Sequence, residues 1–113
     1  MSDCTFCKIV AGDIPAKILR QDEQALVVRD VNPQAPVHVL VVPRRHVASL
    51  DATAADDAAL LGHLLLEAKA VAAAEGIGGA YRVVVNCGAA AGQSVFHLHL
   101  HVLGGRNMGW PPG

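Results

Sequence analysis

Apolar residues return along this chain at two different periods, and the switches between them mark out its elements. Between Ser49 and Gly76 they recur every three to four positions, with Leu60, Leu61, Leu64, Leu65, Ala68, Val71 and Ala72 on one stripe, which predicts a long helix. Thr53 with Asp56 reads as a capping box, Asp56 and Asp57 complement the dipole of the first turn, and Gly76 ends the run. His63 falls off the centre of the stripe and is expected on a solvated face. A second, short helix is predicted over Thr5 to Ala11, where Phe6, Ile9 and Val10 keep helical spacing until Gly12. Strand-like runs fill the rest. Ala16 to Arg20 and Ala25 to Arg29 form a hairpin through the polar turn Gln21 to Gln24, and Val37 to Val42 is a β-branched central strand that stops at Pro43. Between them Asp30 to Pro36 is a loop with two prolines. Tyr81 to Val85 is a further strand, and Cys87 to Ser94 a loop of small residues. Last comes a run in which His97, His99 and His101 alternate with Leu98, Leu100 and Val102. No repeat or linker interrupts the order, so the expectation is one α+β domain over residues 1–113, an antiparallel sheet covered by the long helix.

Composition narrows the setting. Of 113 residues 52% are hydrophobic and 17% charged, with a net charge of −1, so the chain offers no broad basic field for a nucleic-acid backbone. No apolar run approaches the roughly 20 residues that span a bilayer, and the N-terminus lacks a secretory pattern. A cytoplasmic location is expected. Three cysteines, Cys4, Cys7 and Cys87, are an odd set that disfavours a disulfide framework there.

In an extended strand residues i, i+2 and i+4 share a face, so the leucines and valine go to a core while three imidazoles line one surface. Imidazole is nucleophilic and exchanges protons near pH 7, which points to nucleophilic, acid-base or metal chemistry. His97 and His101 lie roughly 13 Å apart along a strand, too far to share one zinc with bonds of about 2 Å. A pair of them with a third ligand would make a zinc-dependent phosphoester hydrolase, although no Asp or Glu follows Glu75 to act as its base. The preceding loop Cys87 to Ser94 presents backbone N–H groups with little bulk, suiting an oxyanion with Gln93 and Ser94 as extra donors, or else it is a flexible Gly/Ala connection.

His97-Leu98-His99-Leu100-His101-Val102-Leu103 resembles the His-φ-His-φ-His-φ-φ signature (φ apolar) of the histidine triad family. The likeness extends through Asp30 to His46, Asn86, Gly92 to Ser94 and the tail Gly104 to Gly113, which is similar to the nucleotide-binding, purine nucleoside phosphoramidase branch. The resemblance implies a homodimeric α+β fold in which His99 attacks the α-phosphorus of a purine nucleoside 5′-phosphoramidate and a nucleotidyl-histidine is then hydrolysed. It further implies that His101 and Ser94 contact the phosphate, that His38 orients or protonates groups near the nucleophile, and that Gly92, Gln93 and Asn86 serve the phosphate side. Asp30 would accept the ribose hydroxyls; Phe6, Ile9, Ile14 and Val31 would wall the base, and Trp110 would reach toward a partner subunit. Val28 stands where that branch commonly has an aromatic. Cys4 and Cys7 with His46 and His97 match the structural zinc ligands of microbial members, whereas the closest animal phosphoramidases lack the cysteines. A nucleotide-binding or scaffold protein with vestigial activity is the alternative from outside the enzymes.

Overall fold

The computed structural model describes residues 3–113 of the chain. Helix α1 (Thr5–Ala11) is followed by strands β1 (Ile18–Gln21), β2 (Ala25–Arg29) and β3 (Val37–Pro43). Then come helix α2 (Ala58–Ala74), β4 (Tyr81–Val84) and β5 (Leu100–Gly104). The strands form one antiparallel sheet in the order β1-β2-β3-β5-β4, which agrees with the α+β expectation of one long and one short helix on an antiparallel sheet. No helix among the described residues is long and apolar enough to cross a membrane.

Strand alternation builds two cores. Ala25, Val27, Val39, Val41, Leu100 and Val102 turn to α2, where they pack with Leu64, Ala68 and Val71. Leu26, Val28, Leu40 and Val42 turn to the opposite face, which α1 covers through Phe6, Ile9 and Val10. Leu98 belongs to the α2 side, so the neighbouring histidine rings are left on the α1 side.

Several boundaries differ from the sequence expectation. Ladder pairing of the histidine run begins only at Leu100, opposite Val41. Two residues further back Leu98 would face Pro43, which has no N–H to give; the Leu98 N–H bonds the Val47 carbonyl instead, and the Pro43 carbonyl takes the His97 ring. His97 and His99 therefore precede the strand. The proposed Thr53–Asp56 box is also replaced: the Thr53 hydroxyl is used on Leu50 O, and Asp57 accepts the Ala54 N–H at 2.9 Å. Two 3-10 turns, Leu50–Ala52 and Ala55–Asp57, occupy what reads as the start of the helix. Leu65 lies at the edge of the apolar arc and is 54% exposed, because the inward face of α2 runs through Leu64, Ala68, Val71 and Ala72; Glu67 is buried at its margin, 3.0 Å from Arg20 of β1. His63 is not simply solvated: its Nε2 meets Asp22 Oδ2 at 2.7 Å, tying α2 to the β1–β2 turn.

Candidate functional site

Three ring hydrogen bonds to backbone fix how the histidines present themselves. His99 Nδ1–H donates to the His97 carbonyl at 2.7 Å, so its Nε2 carries a free lone pair. The Gln34 backbone N–H donates to His38 Nδ1 at 3.0 Å, which leaves the His38 proton on Nε2, 2.9 Å from His101 Nδ1 and 3.3 Å from Asp30 Oδ2. His101 thereby accepts at Nδ1 and keeps its own proton on Nε2. His99 Nε2 and His101 Nε2–H, on rings whose centres are 5.0 Å apart, offer one acceptor and one donor side by side. Burial, reinforced by the neighbouring His99 and His38 rings, pushes the His101 pKa down from 6.5 to about 4. His38 is also lowered, by burial against the opposing pull of Asp30.

His99 and His101 open into a cavity of about 350 Å³ between α1 and the sheet, at the lower end of the size range for small-molecule sites, while His38 stands behind His101 and does not line it. Of the residues read from the sequence, Phe6, Ile9, Ile14, Asp30, Val31, Ser94, His99 and His101 line it. Phe6 lies edge-on to His99 with centres 4.9 Å apart. Asp30 sits at the mouth, one carboxylate oxygen accepting the Asn32 N–H in an Asx turn and the other near His38. The cavity also takes Val28 and Leu40. Leu40 is two residues beyond His38 in a strand, so its sharing the histidine face was recoverable from period-two spacing; Pro15 and Ala16 gave no such signal. Arg29 borders the cavity, but its guanidinium is engaged by Glu75, 2.7 Å away.

Other expected residues stand back from it. The Gln93 side chain is buried and fully engaged with backbone: Oε1 accepts the Gly88 N–H, while Nε2 donates to Ala48 O and Val95 O. It shapes the loop instead of facing the cavity. Gly92, at φ +99°, sits against the Asn86 amide, where an added Cβ would lie 3.5 Å from Nδ2 and the backbone would be strained. Trp110 is 82% exposed beside the sheet edge, with the Arg82 guanidinium 6.0 Å from its ring centre.

His97 faces away from the cavity, into a second cluster. Its Nε2–H donates to Pro43 O at 2.8 Å, so Nδ1 holds only a lone pair, 3.2 Å from Cys4 Sγ, 3.5 Å from Cys7 Sγ and 3.2 Å from His46 Nδ1. His46 Nδ1 is 3.2 Å from Cys7 Sγ. One donor atom from each of the four residues falls within 4.8 Å of every other. A thiol proton satisfies one such contact; a divalent cation at the centre satisfies all four, and a Cys₂His₂ set is a closed tetrahedral one. The Pro43 carbonyl supplies the outer hydrogen bond that orients a ligating imidazole. These residues fit a structural zinc. Cys87 lies outside this group.

Residues 11–108 match the family model described as HIT domain. An uncharacterized HIT-like protein of Synechocystis sp. is 57% identical over 111 residues, covering 98% of this chain and 97% of the relative. Among solved structures, a HIT family hydrolase from Legionella pneumophila Philadelphia 1 superposes with a TM-score of 0.96 at 47% identity, over 98% of this chain and 100% of that one. A Zn-bound histidine triad family protein from Mycobacterium smegmatis superposes with a TM-score of 0.79 at 36% identity, over 93% of this chain and 76% of that one.

Proposed function

The chain belongs to the HIT domain family, and from that premise we propose that it is a nucleotide-binding hydrolase cleaving purine nucleoside 5′-phosphoramidates and related nucleotidyl conjugates. The observation that carries this reading is the 2.7 Å hydrogen bond from His99 Nδ1 to the His97 carbonyl, which leaves a nucleophilic Nε2 on the cavity wall. Phe6, Ile9, Ile14, Val28 and Val31 give the base apolar walls, and Asp30 gives the ribose diol an acceptor. In the first step a bond forms from His99 Nε2 to the α-phosphorus while the phosphorus–nitrogen bond breaks, and the nitrogen, taking a proton from solvent, leaves as the amine on the open side by Ser94. Water then attacks phosphorus and gives a proton back to solvent, the bond to Nε2 breaks with its electron pair returning to the ring, and the nucleoside monophosphate is released. The Nε2–H of His101 and the Ser94 hydroxyl hold the phosphoryl oxygens, whereas the N–H groups of Gly88, Ala91, Gly92 and Gln93, expected from the sequence to serve an oxyanion, are spent within their own loop; this suits a cavity where Arg29 is turned away to Glu75. Gln93 enters as the brace of that loop, with Asn86 and Gly92 beside it, and His38 as the group that keeps His101 in its donor tautomer.

Zn²⁺ held by Cys4, Cys7, His46 and His97 would be structural, joining the N-terminal helix to the sheet. That assignment removes His97 from direct contact with substrate. The partner we propose is a second copy of this chain: β4 is an outer strand with one unpaired edge, and Trp110 lies beside it. A cytoplasmic location accompanies this reading.

Rapid quenching with adenosine 5′-phosphoramidate, followed by intact-mass analysis and peptide mapping, should trap a nucleotide on His99. Absence of the adduct together with unaltered turnover in His99→Ala would overturn the mechanism. If that turnover is negligible in the wild type while nucleotide still binds, the scaffold reading takes its place. Chelation separates the zinc hydrolase alternative, in which turnover stops as metal leaves; a His99 nucleophile keeps working while the site is intact.

A further inference from the structure

A seven-residue helix is well below the length at which its own hydrogen bonds sustain it, so α1 depends on what holds it to the sheet. One side of it packs through Phe6, Ile9 and Val10. Its N-terminus is organised by sulfur: Cys4 is the N-cap and its Sγ accepts the Cys7 N–H at 3.3 Å. The same two sulfurs reach across the fold to His97 and His46. That turn also carries Thr5 and Phe6 into the cavity wall, with Ile9 one turn on, and Phe6 touches His97 and His99 together. Metal ligands and cavity wall are therefore one rigid piece. The α2-side core contains neither the cysteines nor any residue of α1, so the main body of the fold does not depend on that piece.

We propose that Cys4 and Cys7 are positioning residues for the nucleotide: with His46 and His97 they hold an ion that locks α1 against the sheet, and metal occupancy thereby sets nucleotide affinity. The inference rests on the nucleotide reading above. The thiolates touch no substrate; they act through Phe6, whose ring keeps its place only while α1 is latched. Substrate capture becomes coupled to metal supply, while the nucleophile, held by a backbone carbonyl, is affected less.

The test uses the full chain loaded with zinc, stripped with a chelator, and reloaded, with AMP as the probe. Titration calorimetry should show the Kd for AMP rising about tenfold on stripping and returning on reloading. Hydrogen exchange should show residues 5–11 losing amide protection while β2, β3 and β5 keep theirs. KM for the phosphoramidate should rise with kcat changed by less than about threefold. Cys7→His, which retains four ligands, should restore tight AMP binding, and Cys7→Ala should not. Unchanged AMP affinity on stripping removes the coupling and leaves the nucleotide site standing. Loss of protection throughout the sheet, or failure of the chain to take up zinc, also overturns it. A zinc-loaded protein that does not bind AMP at all removes the nucleotide reading, and this inference with it.

Discussion

His101 should cost the protein stability as pH falls, and the size of the effect follows from its surroundings. Its ring is pushed from 6.5 to about 4 because burial disfavours the imidazolium and the His99 and His38 rings crowd it. The sign follows from linkage: the unfolded chain takes up a proton near pH 6.5 that the folded chain refuses until about 4, so stability is full above 6.5 and declines across that window. At about 1.4 kcal/mol per pH unit the interval gives about 3 kcal/mol, which we reduce to about 2 because the ring faces an open cavity. Urea denaturation of the wild type and of His101→Gln at pH values from 4 to 7.5 reads the difference between them, which isolates this ring from His38 and His97, both also lowered by burial. The wild type should lose about 2 kcal/mol more than the variant on going from pH 7 to pH 4.5. Parallel losses in the two proteins would refute the claim that His101 is held neutral, and with it the assignment of an uncharged N–H donor beside the nucleophile.

His99→Ala should reduce phosphoramidate turnover by at least about a thousandfold, the scale of losing a nucleophile, while AMP still binds within a few-fold by calorimetry. A Cβ on Gly104 would stand 2.6 Å from Ile77 Cδ1 and 3.2 Å from the Ala80 carbonyl, so Gly104→Ala should cost about 1–3 kcal/mol in urea denaturation. Adding Ile77→Ala should recover none of the backbone clash but part of the side-chain one, a non-additive result readable in a double-mutant cycle. Asp22 accepts the Gln24 and Ala25 N–H groups and meets His63, and these contacts, the Gln24 bond foremost, hold its carboxyl below the ordinary 3.8. Its contribution is present above that value and is lost as pH falls through the lowered one. Asp22→Asn should therefore destabilise by about 1 kcal/mol at pH 7, with the gap closing in strong acid.

Much of this site was written in local patterns. The alternation of His97, Leu98, His99, Leu100 and His101 placed leucines and imidazoles on opposite sides even though regular pairing starts at Leu100, because side-chain alternation survives where extended backbone continues without a ladder. The pairing of Cys4 and Cys7 with His46 and His97 was legible through the family resemblance. What the pattern missed were positions decided by competition between distant groups. Leu65 fits the helix stripe yet is exposed, since packing of Leu64, Ala68, Val71 and Ala72 against the sheet set the roll of α2. Gln93 reads as a free amide donor beside a glycine, yet three backbone groups claim it.

By itself, then, the order of residues determined the kind and sequence of the elements, the alternation of faces along the strands, and the family to which the chain belongs. Only the tertiary structure decided which ring nitrogen faces the cavity and which one turns to the cysteines. Tautomer and orientation are set by hydrogen bonds to Pro43, His97 and Gln34, backbone groups that any residue types would carry. Side-chain identity encodes what an imidazole can do; chain path encodes which carbonyl or amide it meets, and that depends on contacts far apart in sequence.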